Sequence, residues 1–228
     1  MGEQIRITVH GDTDFVDKSS LAQTDPAKVK KRRERKSKRV RAPKNPRPQE
    51  WLAKDLSQGY IADYKPFNFV DGEGVRCSLY VSGCLFACPG CYNKVAQQFK
   101  YGQPYSKELE DQIVADIGQS FCQGLTLLGG EPFLNTQVCL SLIDRLRKEY
   151  GSSKDIWSWT GYTWDELQKE SADKLEMLSK IDILVDGRFL EPLKDLTLQF
   201  RGSSNQRIID VQASLKAGKV VLWKNLVR

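Results

Sequence analysis

A chain of 228 residues with 40% hydrophobic and 28% charged residues has the composition of a globular protein long enough to bury its own core, which excludes collagen-like and wholly disordered architectures. No stretch approaches the roughly 20 consecutive apolar residues of a membrane helix. The opening MGEQIRITVHGDTDF carries no apolar signal segment, so the chain reads as cytoplasmic.

The net charge of +6 is unevenly spread: residues 1–50 hold 14 Lys/Arg against 7 Asp/Glu, and the remainder is close to neutral. The run Lys28 to Arg47, KVKKRRERKSKRVRAPKNPR, repels itself and has almost nothing apolar to bury. Residues 1–50 are therefore expected to form a basic, disordered extension, ended by Pro43, Pro46 and Pro48, with a folded domain over 51–228. The extension is either a solvated tail or an electrostatic contact for nucleic acid or another polyanion; no aromatic residues are interleaved for base stacking. Ile5 to Val9 alternates like a short strand.

From about residue 60 the pattern becomes regular. Arg76 to Val81 alternates as a strand and runs into Gly83 and a cysteine-rich loop. Ser106 is placed to cap a helix with Leu109, Ile113 and Ile117 on one face and acidic residues in its first turn. Gly124 to Leu128 is a short apolar strand ending in Gly129-Gly130-Glu131-Pro132. Asn135 is placed to cap the next helix, with Val138, Leu142, Ile143 and Leu146 inward. Ile156 to Trp159 is a strand, Thr163 and Glu166 match a capping box for a third helix, and Ile181 to Val185 is a strand that turns at Asp186-Gly187. Strands alternating with helices predict βα units around a parallel sheet.

His10 is the only histidine, so triads, histidine-ligated zinc and a histidine general base are excluded from the folded part. The chemistry therefore points to cysteine. Three of six cysteines fall within Cys84-Leu-Phe-Ala-Cys88-Pro-Gly-Cys91, a C-x3-C-x2-C spacing able to fold three thiolates around one centre. A structural zinc normally takes four Cys/His ligands, and neither a nearby histidine nor a second C-x-x-C is present. A redox pair Cys88–Cys91 leaves Cys84 without a role. An iron–sulfur cluster held by three thiolates leaves one iron open to an outside ligand. Three unrelated thiols is the remaining reading. Cys77, Cys122 and Cys139 read as buried small hydrophobes.

The C-x3-C-x2-C loop after one strand and GGEP after the next resemble the radical S-adenosylmethionine (SAM) superfamily. CPGCYN (88–93), WTGY (159–162), LVDGRF (184–189) and FRGSSNQR (200–207) narrow the resemblance to its anaerobic ribonucleoside-triphosphate reductase-activating family, over about residues 60–210. The basic tail and the last 15 residues fall outside the pattern.

The resemblance implies an α/β fold of the partial, open (β/α) barrel type. It implies a 4Fe-4S cluster on Cys84, Cys88 and Cys91, and SAM on the open iron, contacted by Gly90, Cys91, Tyr92, Gly129, Gly130 and Glu131. In that family a low-potential donor such as flavodoxin or ferredoxin reduces the cluster. SAM is then cleaved to methionine and a 5′-deoxyadenosyl radical, which takes a hydrogen from a glycine of the large reductase subunit. No side chain is assigned as catalytic, because cluster and SAM carry the chemistry. Alternatives are an activase of another glycyl-radical enzyme and a nucleic-acid-binding module with a metal knuckle. Trp157, Trp159 and Trp164 read as core or sheet-packing residues, with partner docking as the alternative, Asp186 as a turn former or pocket residue, and Arg201 to Gln206 as a polar loop that contacts cofactor or reductase or caps itself.

Overall fold

The computed structural model describes residues 44–225; the expected strand at Ile5–Val9 and the basic run as far as residue 43 lie outside them. In chain order the elements are α1 (Ala53–Leu56), β1 (Tyr60–Asn68), β2 (Val75–Val81), β3 (Gln103–Pro104), α2 (Lys107–Ile117), β4 (Cys122–Gly129), α3 (Thr136–Tyr150), β5 (Asp155–Trp159), α4 (Trp164–Leu167), α5 (Ala172–Lys180), β6 (Ile183–Asp186), β7 (Arg207–Asp210) and α6 (Val211–Ala217).

One sheet orders them β3-β1-β2-β4-β5-β6-β7 and does not close. The central four strands, β2, β4, β5 and β6, are mutually parallel, as the strand–helix alternation predicts. The flanks differ from the all-parallel expectation: β1 is antiparallel to β2, β3 to β1 and β7 to β6. Lys65 and Pro66 hide β1 from a pattern search, since proline is confined to strands with a free edge or an irregular register, and the β1–β2 register does shift between Lys65 and Asn68.

The period of two divides the sheet into two faces. Cys77, Leu79 and Val81 of β2, with Leu125 and Leu127 of β4 and Ile156 of β5, join Ile113, Ile117, Leu142, Ile143 and Leu146 of the helices in the main core. The opposite face carries Arg76 and Thr126, then Trp157, Ile183, Val185 and Ile208, which form a second cluster with Trp223 and Phe200. Arg76 is fully buried there. Its Nε donates to Thr126 Oγ1 (2.8 Å), its guanidinium pairs with Asp155 Oδ1 (2.5 Å) and it lies against the Trp157 ring.

The helix termini are mostly as expected. Ser106 Oγ accepts from Leu109 N–H, and Thr163 and Glu166 form the reciprocal capping box. The third expected helix is broken into α4 and α5. Asn135 occupies the cap position of α3 without capping it: its amide donates to Glu131 O (3.0 Å) and its Oδ1 accepts from Ser57 Oγ (2.9 Å), so it braces the preceding turn. Asp186 is neither a turn former nor a cleft residue; it is buried, pairs with Arg207 and accepts from Trp164 N–H.

Residues 44–50, which the composition places in the extension, are bonded to the domain. Lys44 N–H donates to Phe86 O (2.9 Å), Arg188 reaches Lys44 O and Asn45 Oδ1, and Gln49 N–H donates to Glu170 Oε1. Among the described residues no helix is long and apolar enough to cross a membrane.

Candidate metal and cofactor cleft

The cysteine loop leaves β2 through Gly83, whose φ of +107° suits only glycine. Both ends of the loop are tied: Gly83 N–H donates to Ala96 O (2.7 Å), Cys84 N–H to Gln97 O (3.1 Å), and Glu131 N–H to Gly83 O (2.9 Å). Its middle is anchored by one ring. Phe86 is fully buried edge-on to Trp51 (5.1 Å) and Tyr162 (4.9 Å). Beneath them the buried Lys174 ammonium donates to Trp51 O (2.6 Å), Tyr162 Oη (3.0 Å) and Glu170 Oε2 (2.7 Å).

So anchored, Cys84, Cys88 and Cys91 line one cleft of about 140 Å³ with Gly129, Gly130 and Glu131. Phe86, Asn93, Leu128, Trp159, Thr160, Gly161, Gly187, Phe189 and Gln206 complete it. The two glycines are there for backbone reasons. Gly129 has φ +100°, and a Cβ on Gly130 would stand 2.6 Å from Gly83 O and 2.8 Å from Ala96 O. Only a bare main chain lets the end of β4 press against the base of the cysteine loop.

Glu131 is buried and its carboxylate is shared among three donors. Oε1 accepts from Phe133 N–H (3.0 Å) and Thr160 Oγ1 (2.8 Å), and Oε2 from Gly161 N–H (2.8 Å). It thereby ties the end of β4 to the end of β5. Burial pushes its pKa up to about 7, against those hydrogen bonds.

The thiols show what the cleft fits. All six cysteines are free. Burial pushes the Cys84 thiol well above the ordinary range, and the Glu131 carboxylate adds to it. Burial and the neighbouring Cys91 push Cys88 up to about 11, opposed by the Phe189 N–H and the Arg188 guanidinium. No lysine or arginine is among the cleft-lining residues. Three thiolates held there would be balanced by a metal centre, since coordination deprotonates a thiol outright, with the Arg188 guanidinium acting on Cys88 from beside the cleft. Among the described residues no three His, Cys, Asp or Glu side chains converge as a single-ion site requires. Cys77 and Cys122 sit together in the main core, Sγ to Sγ 3.8 Å, and Cys139 is buried in α3.

Gly90 and Tyr92 flank Cys91 but are not among the lining residues: Tyr92 is 74% exposed beneath Lys194, and Gly90, at φ +70°, abuts Glu191. The polar loop is braced on itself. Gln206 Oε1 accepts from Gly202 and Ser203 N–H, and its Nε2 donates to Gly187 O, which sets Gln206 against the cleft. Trp157 and Trp164 are buried, whereas Trp159 lines the cleft. Sequence reasoning missed Trp159, Thr160, Gly161, Gly187 and Phe189 as cleft residues. One signal could have found them: they follow the C-terminal ends of β5 and β6, where open α/β sheets place their ligands.

The family model of the 4Fe-4S single cluster domain matches residues 70–209, well over half of the chain. The anaerobic ribonucleoside-triphosphate reductase-activating protein of Salmonella typhi is 46% identical over 147 residues, 63% of this chain and 93% of that protein. The protein of that name from Haemophilus influenzae is 44% identical over 149 residues, 64% and 94% of the two chains. That of Enterobacteria phage T4 is 36% identical over 145 residues, 63% and 88%. With its cysteine cleft inside the matched span, the chain belongs to the 4Fe-4S single cluster domain family and to the anaerobic ribonucleoside-triphosphate reductase-activating proteins.

Proposed function

We propose that this chain is a cytoplasmic radical SAM enzyme that installs a glycyl radical on the large subunit of anaerobic ribonucleoside-triphosphate reductase. One observation carries the reading: the three cysteines of the C-x3-C-x2-C loop and the Gly129-Gly130-Glu131 turn line the same cleft at the C-terminal end of parallel strands. Cys84, Cys88 and Cys91 would hold a 4Fe-4S cluster. Gly129, Gly130 and Glu131 would contact SAM; Gly90 and Tyr92, which flank the cleft without lining it, would reach it only through the main chain next to Cys91. When bound, cluster and SAM supply one-electron chemistry, reductive cleavage of the sulfonium followed by hydrogen abstraction from the partner's glycine.

The chain's own residues bind, orient and exclude water. Glu131 is anchored by three donors and keeps acceptor capacity on Oε2, enough for a charge-assisted bond from the methionine ammonium, which would hold the carboxylate ionised. Phe86, Leu128, Trp159 and Phe189 give the cleft apolar walls. No histidine lines it, in keeping with positioning and electron transfer in place of proton transfer. We read the fold as a partial (β/α) barrel of the radical SAM type, whose open side would admit a polypeptide loop; the unclosed seven-stranded sheet supports that reading. A flavodoxin- or ferredoxin-like donor would supply the electron, and the basic extension is either a solvated tail or a contact for a polyanion.

The test is anaerobic incubation of the reconstituted, reduced protein with SAM and the reductase. A glycyl doublet in the spin-resonance spectrum, absent with Cys88→Ala, is the expected result. One zinc per chain, no visible chromophore and no SAM cleavage would overturn the reading.

A further inference from the structure

The segment after β6 is ordered without being buried. Residues 191–197 are all exposed, and the short helical turn Glu191–Leu193 buries none of its side chains. Its main chain is nevertheless held. Ser204 N–H donates to Leu193 O (2.9 Å), Asp195 N–H to Gly202 O (3.3 Å) and Leu190 N–H to Ser203 Oγ (3.2 Å), around an antiparallel bridge of Lys194 with Ser203. Asp195 Oδ1 accepts from Thr197 N–H (2.8 Å) and closes the end. The polar loop at 201–206 is therefore a brace. Gln206, bonded to Gly202, Ser203 and Gly187, fixes the loop, and the loop fixes the segment.

The braced segment lies alongside the cysteine loop and meets it in step. The Arg188 guanidinium stands over Phe86 (4.8 Å), the Phe189 N–H meets the Cys88 thiol, Glu191 abuts Gly90, and the Lys194 ammonium stands over the Tyr92 ring (5.3 Å). Phe189 also lines the cleft. The two stretches thus form one lip of the cleft, and Tyr92, Val95, Leu193 and Leu196 expose apolar side chains on it. Fixing a main chain costs conformational entropy, and burial of the segment's own side chains does not offset it here.

We propose that this lip is the docking surface for the reductase large subunit, which covers Leu193, Leu196, Val95 and the Tyr92 ring as its glycine enters the cleft. This rests on the function proposed above. The occupant follows from the chemistry. Hydrogen transfer needs the reacting atoms in contact, so a protein that brings a backbone glycine into a cleft of about 140 Å³ must lie over its rim, and Phe189 makes lip and cleft continuous. The charges on the segment, Glu191, Lys194 and Asp195, are mixed in sign, so the lip lacks the one-signed field that steers a charged, transient electron donor. A fixed, exposed segment with apolar side chains suits a pre-organised protein interface, where little ordering is left for the moment of binding.

The paired variant Leu193→Asp/Leu196→Asp tests this on the full-length, cluster-loaded protein without oxygen. Binding to the reductase large subunit should weaken at least tenfold. Iron content and dithionite-driven SAM cleavage without the reductase should stay at wild-type levels, because neither leucine lines the cleft. Phe69→Asp/Val70→Asp, in the turn between β1 and β2 where both side chains are over 70% exposed, adds the same charge elsewhere and should leave binding unchanged. Wild-type binding by the leucine variant, or an equal loss in the Phe69→Asp/Val70→Asp control, would overturn the docking surface and leave the proposed function standing. Unchanged reductase binding with slower cluster reduction by a flavodoxin would do the same and assign the lip to the electron donor. Leu196→Ala, which trims a side chain 76% exposed, keeps the test open if the aspartates cost the cluster: it should bind several-fold more weakly with its iron intact, and unchanged binding would contradict the proposal. A wild-type protein that forms no complex with the reductase would overturn the partner and this surface together.

Discussion

Lys174→Met should be among the most damaging single substitutions outside the cleft. Lys174 and Glu170 form a salt bridge of 2.7 Å with side chains 0% and 2% exposed, and the ammonium also satisfies Trp51 O and Tyr162 Oη. Methionine fills the same volume, so little cavity cost enters. The cost is electrostatic: Glu170 would keep only the Gln49 N–H on Oε1, leaving a carboxylate in the interior without its counter-charge. Breaking a buried pair by removing one partner costs about 3–5 kcal/mol. At about 2–4 °C per kcal/mol for a domain of this size, the midpoint of thermal unfolding should fall by roughly 6–20 °C. The assay is circular dichroism of the iron-free protein at pH 7. The double variant Lys174→Met/Glu170→Leu removes both charges and should recover most of the loss, because a well-packed apolar pair replaces a buried ion pair at little cost. A Lys174→Met midpoint within 2 °C of wild type, or a double variant no better than the single, would refute the reasoning.

Replacing Cys84, Cys88 or Cys91 by Ala should abolish a full complement of iron after anaerobic reconstitution, whereas Cys77→Ala, Cys122→Ala and Cys139→Ala should retain it; iron and sulfide analysis decides. Gly130→Ala places a Cβ 2.6 Å from Gly83 O, a main-chain atom that cannot swing aside, so a loss of about 1–3 kcal/mol and poorer cluster retention are expected from denaturant titration and iron analysis. Glu131 has a folded pKa near 7 against an ordinary 4.5, so the fold favours its protonated form. Its contribution is fully present below about pH 4.5 and lost as pH rises through about 7, a change on the order of 3 kcal/mol. The stability of iron-free wild type relative to Glu131→Gln should therefore decline over that window, and a flat difference would show the carboxyl to be ionised throughout. Removing residues 1–43 should leave SAM cleavage intact, while extending the deletion through Trp51 should lower the unfolding midpoint, because Trp51 packs on Phe86 and its carbonyl receives Lys174.

The central sheet was legible because β2, β4 and β5 each carry an apolar alternation between glycine-bearing turns, and the cleft because three cysteines and Gly129-Gly130 follow two neighbouring strands. The parts that were not legible share a physical cause. β1 contains Lys65 and Pro66 and has register shifts, so its pairing owes more to its neighbours than to its own periodicity. Asn135 has the residue type of a helix cap, but its amide is used across the turn on Glu131 O, a tertiary contact that local reading does not contain. Charge density placed residues 44–50 in the tail, yet Lys44 and Asn45 bind through a main-chain amide, a main-chain carbonyl and an amide side chain, none of which composition measures. Trp159 looks like a core residue by type; its position at the end of β5 is what puts it in the cleft.

Charge explains why the cysteine loop is braced so heavily. Without metal the cleft can stay near neutrality, since burial favours the protonated thiols of Cys84 and Cys88 and the protonated Glu131. Under the proposed function, binding a cluster would require the thiolates and binding a ligand ammonium would require the carboxylate, which would create several buried negative charges in a site with no lining lysine or arginine. The loop must then hold its geometry against mutual repulsion among its own ligands. Its ends are tied to Ala96, Gln97 and Glu131 by main-chain hydrogen bonds, and its centre is pinned by Phe86 between Trp51 and Tyr162. Two cations beside the cleft, Arg188 over the Phe86 ring and Lys174 over the Tyr162 ring, are each paired with a glutamate, so they stiffen the support and only partly offset negative charge on Cys88 and Glu131.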